Sequence, residues 1–148
     1  MREIKFRGKR VYNGEWVYGY LVVHNNGEKG NQICEILTGY SGYGIEHSGV
    51  TFEGYEVIPE TVGQYTGLKD KNGVEIYEGD IILVEYEYDS YYSPEIFVEL
   101  YEIVFSDEYH AWFTKLNDGE LGEWLYEYDG DLTVIGNIHD NPELLEGE

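Results

Sequence analysis

Three short polar turns restrict how this chain can run. Asn13-Gly14, Asp70-Lys71-Asn72-Gly73 and Asp118-Gly119 each interrupt stretches rich in aromatic and β-branched residues. Asn, Asp and Gly tolerate the positive φ that tight hairpin turns require, so each turn sends one strand back along another. Sixteen tyrosines and nineteen glycines suit such hairpins better than a helical bundle. The expected fold is mainly β: a single domain, 1–148, of antiparallel hairpins forming a barrel-like or sandwich core, with at most short helical turns.

Alternation places the strands. Residues 2–7 (REIKFR) read as the first and Trp16–Val23 as its hairpin return. In that return Trp16, Tyr18, Tyr20 and Val22 share one face, and Val17, Leu21 and Val23 share the other. Both faces are apolar, which predicts an interior strand. NNGEKGN (25–31) is a turn, QICEILTG a strand and YSGYGIEHSG (40–49) a glycine-rich loop. VTFEGYEVI is a strand ending at Pro59, and Pro59–Val62 suits one helical turn. In IILVEYEY (81–88) one side carries Ile82, Val84, Tyr86 and Tyr88, while the other passes from Ile81 and Leu83 to Glu85 and Glu87. That strand is expected to run from core toward solvent. EIFVELYEIVF (95–105) reads as a strand, HAWFTKL and GEWLYEY as a hairpin around Asp118-Gly119, and DLTVIGNI as the last strand. A short helix can follow Asn141-Pro142. The pattern GEWxYxY occurs at 14–20 and again at 122–128, but the flanks differ, so it marks two hairpin returns and not a repeat.

Charge narrows the partners. The chain carries −21 overall, yet five of its nine cations (Arg2, Lys5, Arg7, Lys9 and Arg10) fall in the first ten residues against one acid. That segment is +4 and the rest is −25. Such a surface is repelled by phosphate backbones and anionic lipids, so direct nucleic-acid binding and membrane binding are not expected. Alternation puts Lys5 and Arg7 on one face and Arg2, Ile4 and Phe6 on the other, which scatters the basic residues. The single cysteine, Cys34, forms no internal disulfide and reads as a small buried hydrophobe. No run approaches the roughly 18 apolar residues that span a bilayer, and the N-terminus lacks a signal-like apolar run. A cytoplasmic protein is expected.

No catalytic, cofactor-binding or metal residue is expected. His24, His47, His110 and His139 lack ligand spacing. Asp129-Gly130-Asp131 begins like a calcium loop, but Val134 stands where the sharp turn needs glycine and Asp140 closes the twelve. No nucleophile elbow, phosphate loop or dinucleotide fingerprint occurs, and the glycines around Tyr43-Gly44 sit in no strand–loop–helix unit. Trp16, Trp112 and Trp124, among thirty acids, allow a carboxylate-based carbohydrate-binding or hydrolytic module; packing against the core accounts for them more simply.

The most tightly specified stretch is 61–86, TVGQYTGLKDKNGVEIYEGDIILVEY. Asp70–Gly73 closes one turn and Glu78-Gly79-Asp80 a second, with Asp80 able to accept backbone N–H bonds. Its chemistry is that of a frame. Together with REIKFR at 2–7 and VIGNIHDNPELL at 134–145, the block PETVGQYTGLKDKNGVEIYEGDII at 59–82 resembles the YopX family of phage and prophage proteins, in the family's order and to both ends of the chain. The resemblance implies a small, phage-encoded protein of the bacterial host, of unassigned activity, whose members assemble into homo-oligomers; together with the lack of a catalytic constellation, it leads to a non-enzymatic accessory protein acting through protein–protein contacts or homo-oligomer assembly. It supplies no catalytic residues to carry over. An alternative, suggested by the charge, is an acidic DNA mimic that inhibits a host DNA-binding protein.

Overall fold

The structure, a computed structural model, describes residues 3–25, 32–40, 52–89, 91–128 and 131–146. The turn expected at 25–31, the loop at 40–49, Arg2, His47 and Asp129-Gly130 lie wholly or largely outside those residues. The chain divides into two compact units, Met1–Tyr65 and Thr66–Glu148, each with its own core.

The first unit holds β1 (Phe6–Lys9), β2 (Trp16–Asn25), β3 (Gln32–Tyr40), β4 (Phe52–Val57) and the start of β5 (Gly63–Lys69). All pair antiparallel in the order β4-β3-β2-β1-β5. The β1–β2 turn is the one expected at Asn13-Gly14: Gly14 has φ +71° and its N–H reaches the Arg10 carbonyl. β1 begins at Phe6, later than the sequence suggested, because only from there does it run between β2 and β5. Cys34, Ile36 and Val57 form the buried core, packed by Phe6, Val17, Leu21 and Val62. β2 is interior as expected, but Tyr18, Tyr20, Val22 and Val23 remain exposed. Hydrogen-bonded neighbours made the strand interior; they left the face of Tyr18, Tyr20 and Val22 uncovered, and the opposite face beyond Leu21, at Val23. A single 3-10 turn at Pro59–Thr61 closes the unit.

In the second unit β5 ends against β6 (Glu75–Tyr77). β7 (Asp80–Asp89), β8 (Pro94–Ser106), β9 (Ala111–Lys115), β10 (Leu121–Trp124) and β11 (Leu132–Asn137) form an open antiparallel sheet ordered β10-β9-β8-β7-β11. Ile76, Ile82, Val84, Ile103, Leu125 and Leu132 build its core. The mainly β, antiparallel fold class holds. Both sheets are open among the described residues, so the barrel-like option gives way to open sheets. GEWLYEY is corrected as well: β10 stops at Trp124 and Leu125–Tyr128 is a 3-10 turn, because Leu125 must turn inward to a site where it is 2% exposed. The GEWxYxY echo therefore has two different conformations.

Candidate functional site

The 61–86 block is a frame, and its hydrogen bonds say why. Asp70 is buried, and its carboxylate accepts the N–H groups of Asn72 (2.8 Å), Val74 (2.9 Å) and Val134 (3.0 Å). One side chain thus closes the β5–β6 turn and ties it to β11. Burial alone would raise the Asp70 pKa; the three N–H donors and the Lys71 charge outweigh it and hold the group below its usual value. Gly73 closes the turn at φ +80°. In the second turn Asp80 accepts the Tyr77 N–H at 2.8 Å, and Gly79, at φ +86°, bridges the Ile103 carbonyl and the Ile138 N–H. Asp70, and Asp80 through Oδ2, thus hold the two turns by accepting backbone N–H groups.

The basic N-terminal residues are engaged with aromatic rings of their own unit. The Lys5 ammonium lies 5.3 Å from the Tyr65 ring centre, the Arg7 guanidinium 4.7 Å from Trp16 and the Lys9 ammonium 5.7 Å from Trp16. The Arg10 guanidinium lies 4.2 Å from Tyr55. Lys5, Arg7 and Lys9 share one face, as alternation requires, and Arg7 is buried.

The other singled-out residues do not converge. His24 meets Glu35 at 2.9 Å, His110 is exposed at φ 51°, and His139 lies near Gly79. Among the described residues no three His, Cys, Asp or Glu side chains are placed to hold a metal. Of the tryptophans, Trp16 and Trp112 are half-buried while Trp124 stays 51% exposed, edge-on to Phe113.

What the sequence did not single out is the outer end of the β7–β8 hairpin. β11 pairs with β7 only to Val84, and β9 pairs with β8 only from Glu102 onward. Beyond those limits β7 and β8 pair with each other alone, Glu85 with Val98 through Asp89 with Pro94. The result is a two-stranded arm exposed on both faces: Tyr88 is 64%, Ile96 65%, Phe97 50% and Val98 52% exposed. Between Glu85 and Glu99 it carries five carboxylates and no cation. The sequence signal was present in the expected passage of β7 into solvent; the matching exposure of the apolar Ile96–Val98 was not legible.

At the arm's base lies a cavity of about 370 Å³. Val98, Glu99, Leu100 and Tyr101 of β8 form one side. Leu116, Asn117 and the side chains Leu144 and Leu145 of the 3-10 turn Pro142–Leu145 form the other. It holds one carboxylate, Glu99, and no tryptophan. The Tyr101 hydroxyl donates to that carboxylate. Burial, then this bond and the neighbouring Tyr86 hydroxyl, push the Tyr101 phenol well above its ordinary range. Tyr128, whose hydroxyl is 3.4 Å from that of Thr114, is pushed up to about 12, chiefly by burial. Both phenols stay protonated at neutral pH and engage in hydrogen bonds here.

Residues 5–146 match the family described as YopX protein. The chain belongs to the YopX family. A crystal structure of protein EF1440 from Enterococcus faecalis is similar to this YopX chain at 27% identity, with a TM-score of 0.64, covering 98% of this chain and 99% of that one. No functionally curated protein matches it. Among the described residues no helix is long and apolar enough to cross a membrane.

Proposed function

We propose that this YopX-family protein is a phage or prophage accessory protein of the bacterial cytoplasm that acts through protein–protein contact, homo-oligomer assembly included, and not through catalysis. One observation carries the reading: the β7–β8 arm presents Tyr88, Ile96, Phe97 and Val98 to solvent on two faces. A lone two-stranded ribbon is marginal in water, and contiguous exposed apolar surface marks a contact site more often than a catalytic one. The perturbed titratable groups agree with it, since Asp70, Tyr101 and Tyr128 are engaged in structural hydrogen bonds.

Sedimentation velocity at micromolar concentration tests the self-assembly. A fast boundary that slows to monomer in an Ile96→Ser, Val98→Ser variant is the expected result. A monomer boundary for the unaltered protein would remove self-assembly and leave contact with other proteins as the remaining use of the arm.

A further inference from the structure

The open edge of β8 has a chemistry that names its occupant. From Pro94 to Tyr101 the strand has no partner on its β9 side among the described residues. Side chains alternate along it. Ile96, Val98 and Leu100 lie on one face, with Leu116, Leu144 and Leu145 across the cavity from the last two. Glu95, Phe97, Glu99 and Tyr101 lie on the other. We propose that this edge accepts an extended, basic segment of a partner protein, one that alternates apolar side chains with two cations four residues apart.

The pairing follows residue by residue. A strand added to the edge makes main-chain hydrogen bonds along it, and its side chains fall beside those of β8 on the same face. Cations on the added strand then stand beside Glu95 and Glu99. The residue between them lies beside Phe97, and its apolar residues pack on Ile96, Val98 and Leu100. The cavity takes the side chain beside Leu100. A space of roughly 150 Å³ already holds benzene, so about 370 Å³ admits one large aliphatic residue with room to spare.

A second copy of this chain fits the edge poorly, so self-assembly uses the arm's exposed faces and leaves the edge open. Two β8 edges laid antiparallel about Phe97 would put Glu95 beside Glu99 twice, and like charges directly opposite are destabilising. The chain's own basic segment around β1 is already paired on both sides, by β2 and β5. The β7 edge is guarded differently, by Glu85, Glu87 and Asp89 in alternate positions.

This inference rests on the contact reading and names its partner class. The probe is a synthetic peptide, Thr-Leu-Lys-Val-Thr-Val-Lys, followed by fluorescence anisotropy against the full chain. Controls are the same peptide with glutamate for both lysines, one with the same composition but adjacent lysines, and one N-methylated at alternate amides. The expected result is binding of the first peptide about tenfold or more tighter than any control. An E95K, E99K variant should reverse the preference toward the glutamate peptide, and E95K alone should shift it part of the way, with thermal melts confirming that each variant folds. Equal binding of the adjacent-lysine or N-methylated peptide would overturn the inference, as would an unaltered preference in the folded variants or no binding at all. Failure here with protein adducts still forming on the arm would remove the basic-strand partner and leave the contact reading standing.

Discussion

Asp70→Ala should cost this protein far more stability than its place in a surface turn suggests. The carboxylate serves three backbone donors. Asn72 and Val74 are exposed, so water can replace its bonds there; the Val134 N–H is only partly accessible and loses its partner. A buried donor left unsatisfied costs about 1–3 kcal/mol, and each lost bond to a charged acceptor adds to it, so the total is on the order of 3 kcal/mol. With a urea slope of about 2 kcal/mol per molar, the unfolding midpoint falls by roughly 1.5 M. Asp118→Ala is the matched control, because Asp118 serves one exposed donor, Glu120 N–H at 3.0 Å. The pH dependence has a definite sign. The folded Asp70 pKa is below the ordinary carboxyl value of 3.8, so its stabilisation is complete above that value and is lost as the pH falls through the lower folded pKa. The gap between the unaltered protein and Asp70→Ala should therefore narrow in acid. Equal midpoints for the two alanine variants, or a gap independent of pH down to strong acid, would refute the reasoning.

Other outcomes follow from the same structure. Ile103→Ala, at a site with no exposure, should lower stability by about 2–5 kcal/mol in urea titration. Gly79→Ala should cost roughly 1 kcal/mol from backbone strain at φ +86°, since an added Cβ meets nothing closer than 3.5 Å; a cost of several kcal/mol in the same titration would mean the steric account is wrong. Tyr128, raised from 10.0 to about 12, contributes stability that is whole below 10 and lost as pH rises through 12. An ultraviolet titration comparing the unaltered protein with Tyr128→Phe should show one late phenol missing from the variant.

Much of the frame was legible because turn chemistry is local. Gly73 and Gly79 need positive φ whatever surrounds them, and Pro59 and Pro142 open the 3-10 turns that the sequence suggested. The decay of Ile82, Val84, Tyr86 and Tyr88 from core to solvent was legible in alternation alone. What alternation does not carry is the identity of the covering layer. Ile96–Val98 is as apolar as a core strand, and only the early end of β9 and β11 leaves it bare. The engagement of Lys5, Arg7 and Lys9 with Tyr65 and Trp16 depends on strand register, and the inward turn of Leu125 on a core vacancy, neither of which is local. The cavity joins Leu100 to Leu145 across 45 positions of chain, a distance no motif spans.

The contact role of the arm is tested most directly by photo-crosslinking in the bacterial cytoplasm. A photoreactive phenylalanine analogue replaces Tyr88 on the arm or, as control, exposed Tyr12 of the first unit. Discrete protein adducts from position 88, and none from position 12, are the predicted result. No adduct at 88, or the same diffuse labelling at both positions, would contradict a role built on protein contact through this hairpin.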